Sequence, residues 1–245
     1  MVLAAGLGTR LRPLTDDRPK ALVTIRGKTL LEIALLTLRS FGVGEVIVNV
    51  HHFADRICDY LDENGNFGMR IEISHEEELL DTGGGLKKAA GFFLENGGNE
   101  PFLLHNVDVL STIDLARMMR QHAEQGALAT LAVQQRETSR YLLFDESAQL
   151  CGRRKGRDGE AEMARPTAHA QALAFCGIHA ISTRLLTKMR EEGAFSIIDS
   201  YLHLVSREEK IAAFRADEYY WRDLGRPENI AEAERELETG AGPNA

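Results

Sequence analysis

Glycines, a hydroxyl group and cations stand close together near the start of the chain, at spacings that suit a bound anion. Gly6 and Gly8 follow a short apolar run, and the two missing side chains let backbone N–H groups approach an anion closely. Thr9 adds a hydroxyl donor, and Arg10 and Lys20 supply positive charge that can neutralise the bound group. The pattern predicts a buried strand that leads into a phosphate-binding loop.

Positive charge is concentrated around this loop. The segment from Arg10 to Lys28 has six cations and two acids, a local charge of +4, in a chain whose formal net charge is −8. Solvation of a glycine-rich turn would not by itself produce this clustering. Two other nucleotide-binding loops do not fit, because a dinucleotide fingerprint needs a glycine where Leu11 stands and a Walker loop needs G-K-[ST].

An acid stands at the end of an apolar run in the middle of the chain. The run from Phe102 predicts a buried strand that ends at Asp108, and a carboxylate placed there is costly unless a cation compensates it. A helix cap is the alternative role for Asp108. The segment Ser111–Asp114 reads as a capping box of its own, for a helix predicted over Ile113–Gln125, so Asp108 is left for chemistry.

A second glycine run follows a group of acids. Gly83, Gly84 and Gly85 stand before a series of good helix formers. Glycine costs roughly 1 kcal/mol against alanine inside a helix, so the run predicts a loop before a helix, where the backbone passes close to something flat or charged. The three acids of Glu76–Glu78 predict a solvated connection.

A histidine pair raises the question of a metal site. His51 and His52 follow a predicted strand, at the edge where ligand sites of α/β sheets lie. Adjacent residues of an extended segment point in opposite directions, and the sequence offers no third ligand at a useful spacing. The pattern disfavours metal binding by this pair.

Strands and helices alternate along the first half of the chain, which predicts a mostly parallel sheet. The segments are a strand over Leu22–Ile25, a helix over Leu30–Ser40, a strand over Glu45–Val50, a helix carrying Phe53 to Leu61 and a strand over Arg70–His75. The later segments are a strand over Ala127–Gln134, a hairpin of Tyr141–Phe144 with Gln149–Cys151, a strand over Leu173–Ile181, a helix from Ser196 to Val205 and a hairpin of Ile211–Phe214 with Glu218–Trp221. Residues 240–245 are expected to form a frayed tail.

Composition bounds the class of protein. With 245 residues and 44% hydrophobic residues the chain can bury a core. Its acidic balance argues against nonspecific binding to nucleic acid or to a membrane. The three cysteines are too far apart for a C-x-x-C pair, and neither a signal peptide nor a long apolar span is apparent, so a cytoplasmic location is expected.

The run from Leu3 to Lys20 resembles the signature of the nucleotide-sugar pyrophosphorylases, which are sugar-1-phosphate nucleotidyltransferases. That signature, L-A-A-G-x-G-T-R-x-x-P-x-T-x-x-x-P-K, is matched at each fixed position. The resemblance implies that Arg10, Lys20 and Asp108 are catalytic. It also implies a set of nucleotide-binding residues: Leu3, Ala4, Ala5, Gly6, Gly8, Thr9, Arg10, Lys20, Thr82, Gly83 and Asn106.

Two further motifs carry the resemblance to a metal site. The N-x-D motif at Asn106 and Asp108 implies that Asp108 is a ligand of Mg²⁺ and that Asn106 supports it. The run Trp221–Glu228 resembles W-x-D-x-G-x-P-E, which implies that Asp223 is the second Mg²⁺ ligand. Thr82 and Gly83 would lie at the edge of the loop that closes on the nucleobase.

The sugar side of the site is less sharply defined. Gly177 stands in a segment similar to the family's sugar pocket, where it would permit close approach of a sugar or form a bulge. The family's V-E-K-P lysine is absent. Arg153 is the candidate to bind the sugar phosphate in its place, and Arg154 and Lys155 are alternatives. Asp199 would contact substrate or favour the dipole of its helix.

The resemblance implies an α/β, Rossmann-like three-layer α/β/α nucleotidyltransferase fold with a mostly parallel mixed central sheet. One domain over 1–245 would have a nucleotide-binding part at 1–134, a sugar-phosphate-binding part at about 135–215, and a closing part at 216–245 with the second metal ligand. No left-handed β-helix repeat follows, and the assigned start is expected to lie a few residues late.

The implied reaction transfers a nucleotidyl group from an NTP to a sugar 1-phosphate and releases pyrophosphate. The D-T-G-G-G run resembles the N-acetylmuramate-1-phosphate uridylyltransferases and related mannose-1-phosphate guanylyltransferases, which favours UTP and cell-wall recycling. Alternatives are a GDP-mannose-type guanylyltransferase, a cytidylyltransferase acting on a non-sugar phosphate, and a noncatalytic regulator that binds nucleotide sugars. The expected partners are small molecules, with no nucleic acid or membrane, and the chain is expected to be a monomer or a homodimer.

Overall fold

The computed structural model describes residues 1–95 and 100–239. The tail predicted at 240–245 lies outside the described residues. The helices are α1 Leu30–Ser40, α2 Ala54–Glu63, α3 Asp81–Lys88, α4 Ala90–Leu94, α5 Leu115–Gln125, α6 Ile197–Val205 and α7 Pro227–Glu238. The strands are β1 Val2–Leu3, β2 Thr24–Ile25, β3 Lys28–Thr29, β4 Glu45–Val50, β5 Arg70–His75, β6 Phe102–Asn106, β7 Val109–Ser111, β8 Ala129–Gln134, β9 Arg140–Phe144, β10 Leu150–Lys155, β11 Ala161–Met163, β12 Gln171–Ile181, β13 Ile211–Arg215 and β14 Trp221–Asp223.

The chain divides into two compact units. The first is built from three separate segments, Met1–Asp81, His105–Ile113 and Tyr219–Ala245. The second contains Thr82–Leu104 and Asp114–Glu218.

Parallel pairing dominates the sheet of the first unit. β1 pairs in parallel with β4 and with the end of β6, and β4 pairs in parallel with β5. The bounds of α1, β4 and β5 agree with the predicted segments. Helix α1 begins where the Thr29 hydroxyl accepts a hydrogen bond from the Glu32 backbone N–H at 3.0 Å, the usual N-cap arrangement.

The second unit is mainly antiparallel. β12 pairs antiparallel with β8 and β9, β10 pairs antiparallel with β9 and β11, and β13 pairs in parallel with β8. The predicted hairpin of Tyr141–Phe144 with Gln149–Cys151 is confirmed as β9 and β10. The α/β class with a mixed sheet is therefore confirmed, with its parallel character concentrated in the first unit.

The predicted hairpin of Ile211–Phe214 with Glu218–Trp221 is wrong. Ile211–Phe214 is buried throughout and lies beside the fully buried strand β8. The half-buried strand β14 pairs instead with β7 in the first unit. An apolar strand gains most where both of its faces are covered, which explains the choice of β8 over a two-stranded hairpin.

The second glycine run is helical, which corrects the predicted loop. Gly83, Gly84 and Gly85 are buried within α3. The cap of α5 also differs from the prediction: Asp114 accepts from the Arg117 backbone N–H at 2.8 Å, whereas Ser111 belongs to β7. Asp114 is the residue directly before the helix, so its carboxylate is the one placed to cap it.

Within the described ranges, none of the helices combines the length and apolar character needed to cross a lipid bilayer.

Candidate functional site

The first glycine run forms an exposed loop after β1. Ala4 and Ala5 are buried, whereas Gly6 is exposed and a Cβ added to it would meet nothing within 4 Å. Thr9 and Arg10 follow in a short 3₁₀ turn, and both are exposed. The loop therefore presents open backbone beside a cation, as the phosphate-binding prediction requires.

Gly8 is needed where it stands. Its φ is 64°, in the left-handed region that favours glycine. A Cβ there would lie 2.9 Å from Cβ of Lys20 and 3.0 Å from Cγ2 of Thr15. The Thr15 hydroxyl also donates to the Gly8 carbonyl at 2.9 Å. The loop and the Lys20 backbone are thus packed against each other through a position that admits no side chain.

Lys20 is paired with Asp108. The Lys20 ammonium donates to Oδ2 of Asp108, and both side chains are largely buried. Burial acts to raise the pKa of Asp108, but the charge and hydrogen bond of Lys20 outweigh it and hold that pKa below its usual value. The structure thus supplies the compensating cation that a buried carboxylate at this strand end requires.

Asp223 is brought to Asp108 by the ladder between β7 and β14. Asp223 pairs with Val109 in that ladder, and the Leu224 backbone N–H donates to the Asp108 carbonyl at 2.8 Å. A residue from near the end of the chain therefore lies beside one from the middle.

The charged groups converge on Gly225. A Cβ added to Gly225 would lie 2.7 Å from Oδ1 of Asp223, 3.0 Å from Oδ2 of Asp108 and 3.0 Å from Nη2 of Arg10. The Gly225 backbone N–H also donates to Oδ1 of Asp223 at 2.7 Å. Four of the residues predicted from the sequence are thus brought together: Arg10, Lys20, Asp108 and Asp223.

The two carboxylates fit an open site for a divalent cation. Burial raises the pKa of Asp223, and the negative charge of Asp108 raises it further. A divalent cation between them would relieve this repulsion, and Mg²⁺ is usually held by one or two carboxylates together with phosphate oxygens. Within the described residues no group of three or more His, Cys, Asp or Glu side chains could hold a metal by itself.

Other polar residues that the sequence singled out make local contacts. Asn106 is half-buried at the end of β6, next to Leu3 in the parallel ladder. Burial lowers the pKa of His105 to about 4, and this ring packs in the interior. His51 contacts the backbone carbonyl of Glu76 at 2.9 Å, and the ring of His52 lies against that of a neighbouring phenylalanine.

A buried polar pair was not foreseen. Glu76 is only 1% exposed, which corrects the predicted solvated connection at that residue. Its Oε1 accepts from Nδ2 of Asn49 at 2.7 Å, and its Oε2 accepts from the Leu80 backbone N–H at 3.0 Å. Asn49 in turn accepts from the Ala4 backbone N–H at 2.8 Å. The asparagine inside the apolar strand β4 was the signal in the sequence that could have indicated a partner.

In the second unit, Thr82 and Gly83 contact the start of α6. The Thr82 hydroxyl accepts from the Ile197 backbone N–H at 3.0 Å, and the Gly83 backbone N–H donates to the Phe195 carbonyl at 2.9 Å. A Cβ on Gly83 would overlap the ring of Phe195. The flat group that the glycine run predicted is therefore an aromatic ring of this chain.

The sugar-side candidates also lie in the second unit. Gly177 has φ 75° and stands where the register of β12 shifts, so it forms the bulge that was one of its two predicted roles. Arg153 donates to Oε2 of Glu162 at 2.7 Å and to Asp199. Both charges offered by Arg153 and Asp199 are thus used within the chain.

An exposed glycine loop after the first strand of a parallel sheet, together with cations and a carboxylate pair, is the arrangement that the sequence predicted for an α/β phosphate-binding site. The chain belongs to the nucleotidyl transferase family, whose model matches residues 1–147. The predicted resemblance is thereby confirmed.

Curated relatives are sugar-phosphate nucleotidyltransferases. The chain is 47% identical over 111 residues to N-acetylmuramate alpha-1-phosphate uridylyltransferase of Caulobacter vibrioides. That alignment covers 44% of each chain. It is 29% identical over 232 residues to mannose-1-phosphate guanyltransferase beta-B of Xenopus laevis. That alignment covers 94% of this chain and 62% of the relative. These alignments span less than two thirds of either relative's length.

A solved structure shows the same fold. HddC from Yersinia pseudotuberculosis matches with a TM-score of 0.75 at 22% sequence identity, over 96% of this chain and 97% of that one. This agreement confirms the Rossmann-like class.

Proposed function

We propose that the chain transfers a nucleotidyl group from an NTP to a sugar 1-phosphate, releasing pyrophosphate and forming an NDP-sugar. The observation that carries the proposal is the convergence of Arg10, Asp108 and Asp223 around Gly225, with Lys20 bound to Asp108. Family membership and the names of the relatives support the same reaction class.

The charges explain what each residue would do. Both substrates are polyanions that repel each other, so Arg10 and Lys20 would offset the triphosphate charge and stabilise the departing pyrophosphate. A sugar 1-phosphate is already ionised at neutral pH, so the attack on the α-phosphate needs no general base. The protein would act by positioning and electrostatics.

Asp108 and Asp223 would hold Mg²⁺. The bound ion would supply neutralisation of phosphate charge and alignment of the reacting groups. The exposed loop of Gly6, Gly8 and Thr9 would bind the triphosphate through backbone N–H groups. On the nucleoside side the proposed contacts are Asn106, Leu3 at the end of β1, and Ala4 and Ala5 directly after that strand. Thr82 and Gly83 instead bind the start of α6.

UTP is the favoured nucleotide. The D-T-G-G-G run and the uridylyltransferase relative at 47% identity support it. GTP with mannose 1-phosphate is the second candidate, because guanylyltransferase relatives align over 94% of this chain. We further propose that 1–134 binds nucleotide, that about 135–215 binds the sugar phosphate, and that 216–245 closes the site, in a cytoplasmic protein acting in cell-wall recycling.

Pyrophosphate release tests the proposal. The purified chain is assayed with Mg²⁺ over a grid of UTP, GTP, CTP and dTTP against the 1-phosphates of N-acetylmuramic acid, glucosamine, glucose and mannose. We expect release with UTP and N-acetylmuramic acid 1-phosphate, and loss of release when EDTA removes the metal. Release with GTP and mannose 1-phosphate would select the second candidate.

One variant and one control are measured in the same pyrophosphate-release assay. Asp108→Asn keeps the shape of the side chain and removes its charge, so turnover should fall at least about a hundredfold. Arg12→Ala removes an exposed cation of the same loop, which pairs only with Asp16 at 3.4 Å among the described ion pairs, and should keep its turnover. Nucleotide binding without release across the whole grid would contradict the proposed reaction.

A further inference from the structure

A buried asparagine and a buried glutamate connect the end of β1 to the segment after β5. The Ala4 backbone N–H donates to Oδ1 of Asn49 at 2.8 Å, and Nδ2 of Asn49 donates to Oε1 of Glu76 at 2.7 Å. Oε2 of Glu76 accepts from the Leu80 backbone N–H at 3.0 Å. All four residues belong to the first unit. We call the two side chains the Asn49–Glu76 pair.

Chemistry fixes the direction of each hydrogen bond in the Asn49–Glu76 pair. A backbone N–H can only donate, so Asn49 must turn its oxygen to Ala4 and its NH₂ group to Glu76. Glu76 then accepts at both of its carboxyl oxygens. A carboxylate meets this requirement, whereas a glutamine would have to turn an NH₂ group towards one of the two donors.

The Asn49–Glu76 pair costs stability. A buried carboxylate is unfavourable unless a cation is paired with it, and the ion pairs of the described part of the chain do not include Glu76. Asn49 interrupts the otherwise apolar run from Val46 to Val50 in β4, where an apolar side chain would be cheaper to bury. Proteins keep such unfavourable polar groups at functional sites.

The Asn49 side chain contacts the chain at the point where it leaves the sheet. β1 ends at Leu3, which pairs with Asn49 of β4 and with Asn106 of β6. At Ala4 the backbone N–H bonds to a side chain instead of to a backbone carbonyl of β4. Two residues later, Gly6 is exposed and a Cβ added to it would meet nothing within 4 Å. Asn49 therefore sets the direction in which the backbone enters the proposed triphosphate-binding loop.

Glu76 is itself held through its backbone. Its N–H donates to the Val50 carbonyl at 2.8 Å, and its carbonyl contacts Nδ1 of His51 at 2.9 Å. Both of these partners lie at the end of β4 or directly after it. The carboxylate that orients Asn49 is thus attached to a backbone that the sheet already fixes, which is what a group that positions a binding loop requires.

We propose that Asn49 and Glu76 are positioning residues for the nucleotide: Glu76 orients Asn49, and Asn49 holds the backbone that leads into the triphosphate-binding loop. The inference rests on the proposed function and concerns residues of the first unit alone. Backbone N–H groups bind a phosphate tightly when they are fixed beforehand, because ordering a loose loop on binding lowers the affinity. Both side chains are buried and act through the loop, not on the ligand.

Three variants test the direction of the hydrogen bonds. Glu76→Gln turns an NH₂ group towards a donor, and Asn49→Asp sets two carboxylates against each other. In the double variant Asn49→Asp/Glu76→Gln, the carboxylate at position 49 accepts from Ala4 and from the amide at position 76, whose oxygen accepts from Leu80. The double variant therefore keeps all three hydrogen bonds and moves the charge.

Binding of UTP and of inorganic triphosphate, each with Mg²⁺, is measured by calorimetric titration. We expect each single variant to weaken both ligands about tenfold, and the double variant to return both affinities to within about twofold of the unchanged chain. In the pyrophosphate-release assay, the single variants should raise KM for UTP about tenfold with little change in kcat.

Inorganic triphosphate distinguishes positioning of the loop from contact with the nucleoside. If Glu76→Gln weakened UTP and left triphosphate binding unchanged, Glu76 would contact the nucleoside and the inference would be overturned. Unchanged affinity for both ligands in folded single variants would overturn it as well. So would a double variant that binds as weakly as the single variants do.

The matched control is Glu77→Gln, the same substitution at the exposed neighbouring residue. It removes the same charge and should leave both affinities unchanged. Thermal unfolding without ligand checks the fold of each variant. If the single variants do not fold, the double variant decides the test: affinities within about twofold of the unchanged chain support the inference, and a tenfold loss overturns it.

Failure of the proposed function gives a different result. An unchanged chain that binds UTP and triphosphate but releases no pyrophosphate would contradict the proposed reaction, and the affinities of the variants would still test the positioning role. An unchanged chain that binds neither ligand would contradict the proposed function and this inference together.

Discussion

The two glycine-rich runs of the chain have opposite structures. The first forms a loop in which Gly6 is exposed and Gly8 is half-buried, and cations follow it. The second, at Gly83 to Gly85, is buried inside a helix, and its first glycine contacts the ring of Phe195. A run of glycines therefore indicates only that something approaches the backbone. The flanking charge distinguishes the two cases: +4 follows the first run between residues 10 and 28, whereas an aromatic ring of the chain itself covers the second.

If the first glycine run belongs to the active site, loss of Lys20, the cation that packs against it, should lower turnover more than any other change described here. We expect Lys20→Ala to lower kcat at least about a hundredfold, since the ammonium is asked for some 3 kcal/mol of the barrier. The variant also leaves Asp108 without its partner, so circular dichroism must show that the fold is intact. Near-normal pyrophosphate release in a folded Lys20→Ala protein would contradict this assignment.

Gly8→Ala should separate backbone strain from loss of function. The left-handed φ of Gly8 predicts a cost of about 1 kcal/mol in unfolding free energy. The added Cβ would also press on Lys20, so we expect about tenfold lower turnover. Gly42→Ala is the control, because Gly42 has φ 85° and a Cβ there would meet nothing within 4 Å. Equal turnover in the two variants would show that the Gly8 contact with Lys20 is unimportant.

Gly83→Ala should act on stability. Alanine gains up to about 1 kcal/mol of helix propensity, but overpacking against Phe195 costs about 1–3 kcal/mol. We expect a net loss in chemical denaturation that Phe195→Leu in the same chain partly restores. Gly91→Ala in α4 is the control, because its Cβ would meet only the end of the Glu95 side chain, at 3.3 Å. A stabilised Gly83→Ala protein would mean that packing does not select this glycine.

Gly6→Ala should have the smallest effect on folding. Its Cβ would meet nothing within 4 Å, so the unfolding free energy should change by no more than about 0.5 kcal/mol. Calorimetric titration with UTP should nevertheless show weaker binding, because a methyl group obstructs close approach of a phosphate to the loop backbone. Unchanged affinity would contradict the assignment of Gly6 to the proposed triphosphate site. It would also weaken the functional contrast between the two glycine runs.

Local sequence patterns predicted those helices and strands whose limits are set by residues close to them in the sequence. The bounds of α1, β4 and β5 follow from apolar periodicity and turn residues, and Pro227 begins α7 as expected. The helical state of Gly83 was not predictable in this way, because it depends on Phe195, far away in the sequence. The low helix propensity of glycine is overridden at Gly83 by tertiary packing.

The sequence predicted which residues form the candidate site better than it predicted how they are arranged. Elementary electrostatics required a cation for Asp108, and family resemblance supplied both Lys20 and Asp223. Neither showed that β14 pairs with β7, since that ladder joins short segments over a hundred residues apart. Buried Glu76 was missed because its partner, Asn49, lies on β4 and is distant in the sequence. The catalytic and binding roles of these residues remain predictions.

The ladder between β7 and β14 sets an order of events during synthesis. The first unit needs the segment from Tyr219 onward, yet the whole of Asp114–Glu218 in the second unit leaves the ribosome before that segment does. Units fold as their residues emerge, from the N-terminus onward. The carboxylate pair of Asp108 and Asp223 is therefore assembled only after the whole of Asp114–Glu218 has been synthesised.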